Sequence, residues 1–309
     1  MVELSAIAVL GLLPLGEGIM ARMKLKVREQ EKSSINVFTI DCFKDGVELG
    51  RTSLARGQDP REHLSLAIPD FSKKLSPRSR HAGRTSEHFI ELEQRLQLLY
   101  LKGELENSCI YLGVQTDPFF PFEGKFDVTI KLLKLLEKYK PSRLVIQTRS
   151  PLIVIAIGSL KALADRVSVT MVLETCSDKI AARYTPEFPS VTERVKAMSA
   201  LKRFNISVDA QVAPMLPYGK MAEDAGKFAD ILVKYADHIY LQPLCPENSS
   251  AATSPLSDLI IGAVAANYGS HWLSPDSTSH LQRAINKRAP QKLEPRNIDE
   301  LFDKQLSMF

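Results

Sequence analysis

Five stretches of this chain, 110–117, 143–150, 167–175, 206–214 and 238–244, are rich in Val, Ile and Leu, and the first four close on polar or proline-marked tips. Near-continuous apolar runs are what strands look like when both faces are covered, as in parallel sheets crossed by helices. Between them, 128–139 and 191–203 set apolar residues at three- and four-residue steps, so each lays one face on a sheet. That alternation predicts an α/β fold: a partial (βα)6-type TIM-like barrel of parallel strands, with N- and C-terminal extensions. In open α/β sheets and in barrels, ligands sit outside the carboxyl ends of the strands. The tips at Thr116 and Asp117, at Thr148, Arg149 and Ser150, at Glu174 and Thr175, and at Pro214 are therefore expected to converge on one rim.

A chain of 309 residues has room for one barrel-sized core with extensions. The expected division is an extension over 1–34, the barrel over 35–245, and a helical extension over 246–309. In that last part 246–255 is a Ser-, Ala- and Pro-rich link, 256–266 reads as a buried helix, and an amphipathic tail helix starts at Asn297. Trp272 is expected to cap the barrel base or line a pocket, chiefly by packing.

The net charge of +4, from 40 basic and 36 acidic residues, is too balanced to argue for nucleic acid or a membrane over the whole surface. One loop, 72–86, is locally basic, with five Lys or Arg residues and a histidine but no acid between Lys73 and Arg84. Its cations suit phosphates, but no interleaved aromatic is there to stack on bases, so a solvated loop is favoured over a nucleic-acid site. The apolar run 6–15 is too short to span a bilayer and follows Glu3, so neither a membrane span nor a secretory signal is expected; Met20 and Met23 are alternative starts.

Cys42, Cys109, Cys176 and Cys245 lie in four separate segments with no Cys-x-x-Cys pair, which gives no disulfide framework and makes a reducing, cytoplasmic compartment the expectation. The six histidines form no His-x-x-x-His pair, and there is neither a Gly-x-Ser-x-Gly elbow nor a Gly-x-x-x-x-Gly-Lys phosphate loop.

Several rim motifs, taken in order, resemble the spore photoproduct lyase-like branch of the radical S-adenosylmethionine superfamily over roughly half the chain. They are Thr116, Asp117, Pro118 and Phe119 followed by Pro121 and Glu123; Thr148 through Ile153; Glu174 and Thr175; Pro186 and Pro189; Glu193 and Arg194; and Val212 through Pro217. The resemblance implies a partial βα barrel, S-adenosylmethionine as cofactor and a [4Fe-4S] cluster held by a Cys-x-x-x-Cys-x-x-Cys loop after the first barrel strand. In this chain the corresponding segment runs from Ile35 to Gly50. Only Cys42 is present there, with Gly46 and Leu49 where the other two thiolates belong. Cys42 is thus the sole candidate metal ligand on that segment, and an assembly of Cys42, Cys109 and Cys176 around the barrel mouth is the alternative route to a cluster.

By the same resemblance, Thr116 and Asp117 fall where the family contacts the methionine amino group. Arg149 and Ser150 occupy the place of a Lys-Ser pair that reaches carboxylate or ribose, Glu174 and Thr175 read ribose hydroxyls, Arg194 pairs with a carboxylate, and Pro214 walls the adenine. Each also has an internal role open to it: Asp117 before Pro118 starts a turn, Arg149 and Glu174 pair across adjacent strand tips, and Glu193 and Arg194 are solvated helix charges. Two functions follow. One is a family-like barrel without its cluster, acting by binding with an S-adenosylmethionine-type pocket. The other is an enzyme, a lyase or transferase that could act on DNA, using Asp117, Arg149 and Glu174 at the barrel mouth for acid-base and anion-binding work, with or without a non-standard Fe-S cluster.

Overall fold

The computed structural model describes residues 36–43, 46–51, 89–113, 116–119, 125–245 and 255–293. All of them fall in Asn36–Phe309, one of the two compact units into which the chain divides. The apolar run 6–15, the basic loop 72–86, Pro121, Glu123, most of the 246–255 link and the tail helix lie outside the described residues.

One seven-stranded sheet organises the fold, in the order β2-β1-β3-β4-β5-β6-β7. Its strands are β1 (Asn36–Phe43), β2 (Gly46–Arg51), β3 (Ser108–Leu112), β4 (Arg143–Thr148), β5 (Val167–Val172), β6 (Ser207–Val212) and β7 (Ile239–Leu241). β1 and β3 through β7 pair parallel, each with the next in chain order, and only β2 is antiparallel. A doubly wound sheet reverses its strand order at a switch point. This one does not, so the chain winds steadily in one direction, as a partial βα barrel does.

The helices are α1 (Phe89–Leu101), α2 (Lys125–Lys138), α3 (Ile157–Leu163), α4 (Asp178–Tyr184), α5 (Val191–Arg203), α6 (Met221–Tyr235), α7 (Pro255–Tyr268) and α8 (Ser279–Asn286). Expected stretch 191–203 is α5 itself, and its start is fixed locally. Ser190 caps the first turn by accepting from Glu193 N, and Glu193 returns the bond to Ser190 N. Glu193 is therefore spent on capping. α8 packs on α6, Arg288 just beyond α8 pairs with Asp230 at 2.6 Å, and Leu293 bridges to Ile239 on the free edge of β7.

Alternation along the strands sorts the two faces of the sheet. Ile40, Leu112, Ile146, Val169 and Val208 are register neighbours, and all belong to the main core with Leu132, Leu133, Leu136, Met198, Leu201, Phe228 and Leu232 from the helices. The opposite face is polar. It carries Asp41, Gln147, Ser168, Thr170, Asp209 and Gln211, all buried, while its buried apolar members Val37, Val145 and Val172 stand outside the main core. Both faces are buried, as covered strands require, but only one joins the helices in the apolar core; the other presents hydrogen-bonding groups, which is why the runs 143–150, 167–175 and 206–214 hide Gln147, Ser168, Thr170, Asp209 and Gln211 among their Val and Ile residues.

The segment expected to be a cluster loop is also different. Cys42 lies inside β1, opposite Val47 of β2, and Gly46 and Leu49 belong to β2. The antiparallel register, from Phe43 with Gly46 to Phe38 with Arg51, makes β1 and β2 a hairpin.

Candidate functional site

The carboxyl ends of β1 and β3 through β6 are stitched to one another by the residues that the sequence singles out. Gly113, at φ +95°, ends β3 where any side chain would collide, since a Cβ there would stand 2.5 Å from Gln147 O and 2.7 Å from Pro118 Cδ. This close approach brings the following loop against β1 and β4. Thr116 donates its hydroxyl to Cys42 O (2.8 Å) and its backbone N–H to Asp41 Oδ1 (3.1 Å). Asp117 Oδ1 accepts from Phe119 N (2.9 Å) and from the Thr148 hydroxyl (2.7 Å), and Asp117 Oδ2 accepts from Arg149 N (2.7 Å).

Asp117 is therefore a buried joint between two loops, with the short-range turn bond its position before Pro118 predicts. Ser150 is also engaged locally: its N–H donates to Thr148 Oγ1, and its Oγ caps the 3-10 turn Pro151–Ala156 by accepting from Leu152 N (3.3 Å). Thr175 donates to Pro217 O at 2.7 Å, tying the loop after β5 to the loop after β6. In that second loop Pro214 is buried and follows a cis peptide bond. Trp272 packs edge to face on Tyr218 (centroids 4.9 Å apart), which places it beside the carboxyl rim and not at the barrel base.

Arg149, Glu174 and Arg194 come together as a buried triad. Arg149 Nε donates to Glu174 Oε1 at 2.6 Å, and Arg194 Nη1 donates to Glu174 Oε2 at 2.7 Å and to Val172 O at 2.8 Å. Arg149 also lies over the Phe188 ring, 4.9 Å from its centroid. The side chains are 8%, 1% and 0% exposed for Arg149, Glu174 and Arg194. Arg194 is thus no solvated helix charge; α5 carries it straight into the sheet end. Burial pushes the Glu174 carboxyl up, but Arg194 and Arg149 outweigh it and hold its pKa at about 2.

Two guanidinium groups share one carboxylate, so the triad carries one positive charge in excess. Three of its nitrogens, Arg149 Nη2, Arg194 Nε and Arg194 Nη2, are buried with no hydrogen-bond partner among the described residues. Asp117, the carboxylate of the rim stitching, accepts from the backbone N–H groups of Phe119 and Arg149 and from the Thr148 hydroxyl. Buried N–H groups of a cation left unpaired are costly. Chemically, the triad offers directed donors and positive charge to an anion, and it offers no proton acceptor: Glu174 is ionised and occupied on both oxygens.

A [4Fe-4S] cluster does not fit these residues. Cys42 alternates with Asp41 onto the apolar face, where it is fully buried in the main core with Ile40. Cys109 pairs in register with Val37, five residues below Cys42 on β1, which sets the two thiols about 17 Å apart along the strands. Cys176 lies past β5, beyond the end of a strand that neither Cys42 nor Cys109 belongs to, and burial pushes its thiol pKa up to about 11. Among the described residues no three His, Cys, Asp or Glu side chains gather as a metal-binding group. No described helix is long and apolar enough to cross a membrane.

Sequence reasoning missed Phe188, whose ring lies against Arg149, and it put Thr148 on the rim without foreseeing that its hydroxyl locks Asp117. Phe188 sits between Pro186 and Pro189, a Pro-flanked aromatic facing a strand tip that ends in arginine.

No known family profile matches the chain. An uncharacterized protein, ORF301 of Acidianus two-tailed virus, is 29% identical over 103 residues, a stretch that is 33% of this chain and 34% of the viral protein. The chain thus matches about a third of that relative's length. Among solved structures, a mutant of spore photoproduct lyase superposes with a TM-score of 0.48 at 9% identity, over 68% of this chain and 67% of that one.

Proposed function

We propose that this protein is a ligand-binding barrel whose carboxyl rim grips the anionic group of a small molecule through Arg149 and Arg194, and that it works without an iron-sulfur cluster. The observation that carries this reading is the buried Arg149–Glu174–Arg194 triad, three of whose guanidinium nitrogens have no partner among the described residues. Rim residues that resemble those of the spore photoproduct lyase-like branch make S-adenosylmethionine, bound by its carboxylate, the first ligand class to try. The lyase or transferase alternative is not favoured, because Asp117 and Glu174 are both committed to internal partners and neither is poised to move a proton.

Two measurements test this. Isothermal titration with S-adenosylmethionine and with inorganic phosphate is expected to show binding of at least one, weakened about 10- to 100-fold in Arg149→Met, the worth of a charge-assisted hydrogen bond. Binding of neither, or binding indifferent to Arg149, overturns the anion site. Separately, protein reconstituted without oxygen is expected to hold far less than one iron and one sulfide per chain. Stoichiometric iron and sulfide with the brown absorption of a cluster overturns the cluster-free reading.

A further inference from the structure

The polar face of the sheet below the triad is not explained by the core. Gln147 stands beside Thr170, and Thr170 beside Asp209; one step lower, Val145 stands beside Ser168 and Ser168 beside Ser207. Arg149 lies two residues beyond Gln147 and on its side of the strand. Gln147, Ser168 and Thr170 are 6%, 2% and 1% exposed, and Gln147 Oε1, Ser168 Oγ and Thr170 Oγ1 have no hydrogen-bond partner among the described residues. Buried polar atoms in native folds are nearly always paired. Here three orphans occupy one patch of two adjacent strands, directly beneath two arginines that are also short of partners. At the neighbouring positions on the other face the same strands carry Ile146 and Val169, so strand propensity does not demand the polar residues.

We propose that Gln147, Thr170 and Ser168 form a subsite for the hydroxylated body of the ligand, a sugar-phosphate-like molecule whose anionic end meets Arg149 and Arg194. This rests on the anion-site reading above. Spacing sets the size: same-face residues of a strand are about 6.6 Å apart, so the hydroxyls lie about 7 Å from the anion at Gln147 and Thr170, and about twice that at Ser168. Chemistry sets the class. Gln147 Oε1 accepts only, whereas the Thr170 and Ser168 hydroxyls donate or accept, and ligand hydroxyl groups satisfy all three. A phosphate end suits two guanidinium groups better than a carboxylate does, because it presents three terminal oxygens to their several free donors. Asp209, next along the row, is held by His238 Nδ1 at 2.9 Å and belongs to the wall of the site.

Titration of the full chain with inorganic phosphate and with ribose 5-phosphate tests the subsite, using wild type, Thr170→Val and Arg149→Met. Ribose 5-phosphate is expected to bind about tenfold or more tighter than phosphate. Thr170→Val should shrink that ratio to within about threefold, leave phosphate affinity unchanged, and leave the urea midpoint equal or higher, since it removes a buried hydroxyl that has no partner among the described residues. Gln147→Met gives an independent reading of the same ratio. Equal binding of the two probes, or a ratio that Thr170→Val and Gln147→Met leave intact, overturns the subsite while the anion site stands. A lowered midpoint with an intact ratio assigns the hydroxyl to a structural role and overturns it too. If wild type binds neither probe, both the subsite and the phosphate end fall, and binding of S-adenosylmethionine alone would then keep only the arginine site.

Discussion

Glu174→Gln is expected to lower the unfolding free energy by about 3–5 kcal/mol, the cost of leaving buried charge without its counter-ion. Glutamine keeps the shape of the side chain but presents one carbonyl oxygen where two carboxylate oxygens served Arg149 and Arg194. Its amide nitrogen then faces a guanidinium, donor against donor. Urea denaturation at neutral pH measures the loss. A pH series identifies the cause. Because the folded-state pKa of Glu174 is held at about 2, below its ordinary value of 4.5, the ionised carboxylate stabilises the fold fully above that ordinary value. The contribution then fades as pH falls through about 4.5 toward 2. Wild type and Glu174→Gln should therefore differ by a constant amount from pH 7 down to about 5 and converge below it. A gap that persists undiminished at pH 2–3 would mean that the substitution acts through packing alone. Added phosphate should restore part of the lost stability, since a bound anion replaces the missing counter-charge and shifts the folding equilibrium by mass action.

The fold is legible in this sequence wherever local chemistry and tertiary role agree. Stretches 143–150, 167–175 and 206–214 announce β4, β5 and β6 because one face of each is mostly Val, Ile, Leu, Met and Ala, and 191–203 announces α5 because the apolar spacing begins right after a capping serine. The rim triad was half legible. Arg149 and Glu174 stand at successive strand tips, where pairing and ligand contact are both open, but nothing local says that Arg194, twenty residues past Glu174 on a helix, spans back to complete the set. Only the steady winding of the sheet brings α5 over the end of β5. What misled the reading of 43–50 was the expectation of a cluster loop. Gly46, Val47, Glu48, Leu49 and Gly50 alternate as a strand does; that strand was written in the sequence, and the family resemblance hid it.

Replacing all three members of the triad at once, Arg149→Met, Glu174→Leu and Arg194→Met, is expected to give a protein at least as stable as wild type and unable to bind the anion. Desolvating two guanidinium groups and a carboxylate costs several kcal/mol per ion, and their mutual attraction returns that only with ideal geometry and every donor satisfied. Three guanidinium nitrogens here find no partner among the described residues. Apolar side chains of similar length remove the penalty and keep the buried surroundings of the Phe188 ring and the end of β5 at Val172. The expected gain over Glu174→Gln is about 3 kcal/mol or more in urea, so the order of stability runs against the number of ion pairs present. A merely structural triad predicts the reverse order: the triple variant would then be the least stable of the set, with ligand binding irrelevant to its retention. Stability recovered together with binding lost would mean that the chain keeps two buried arginines for what they hold at the rim, and that the free protein bears their cost until the ligand arrives.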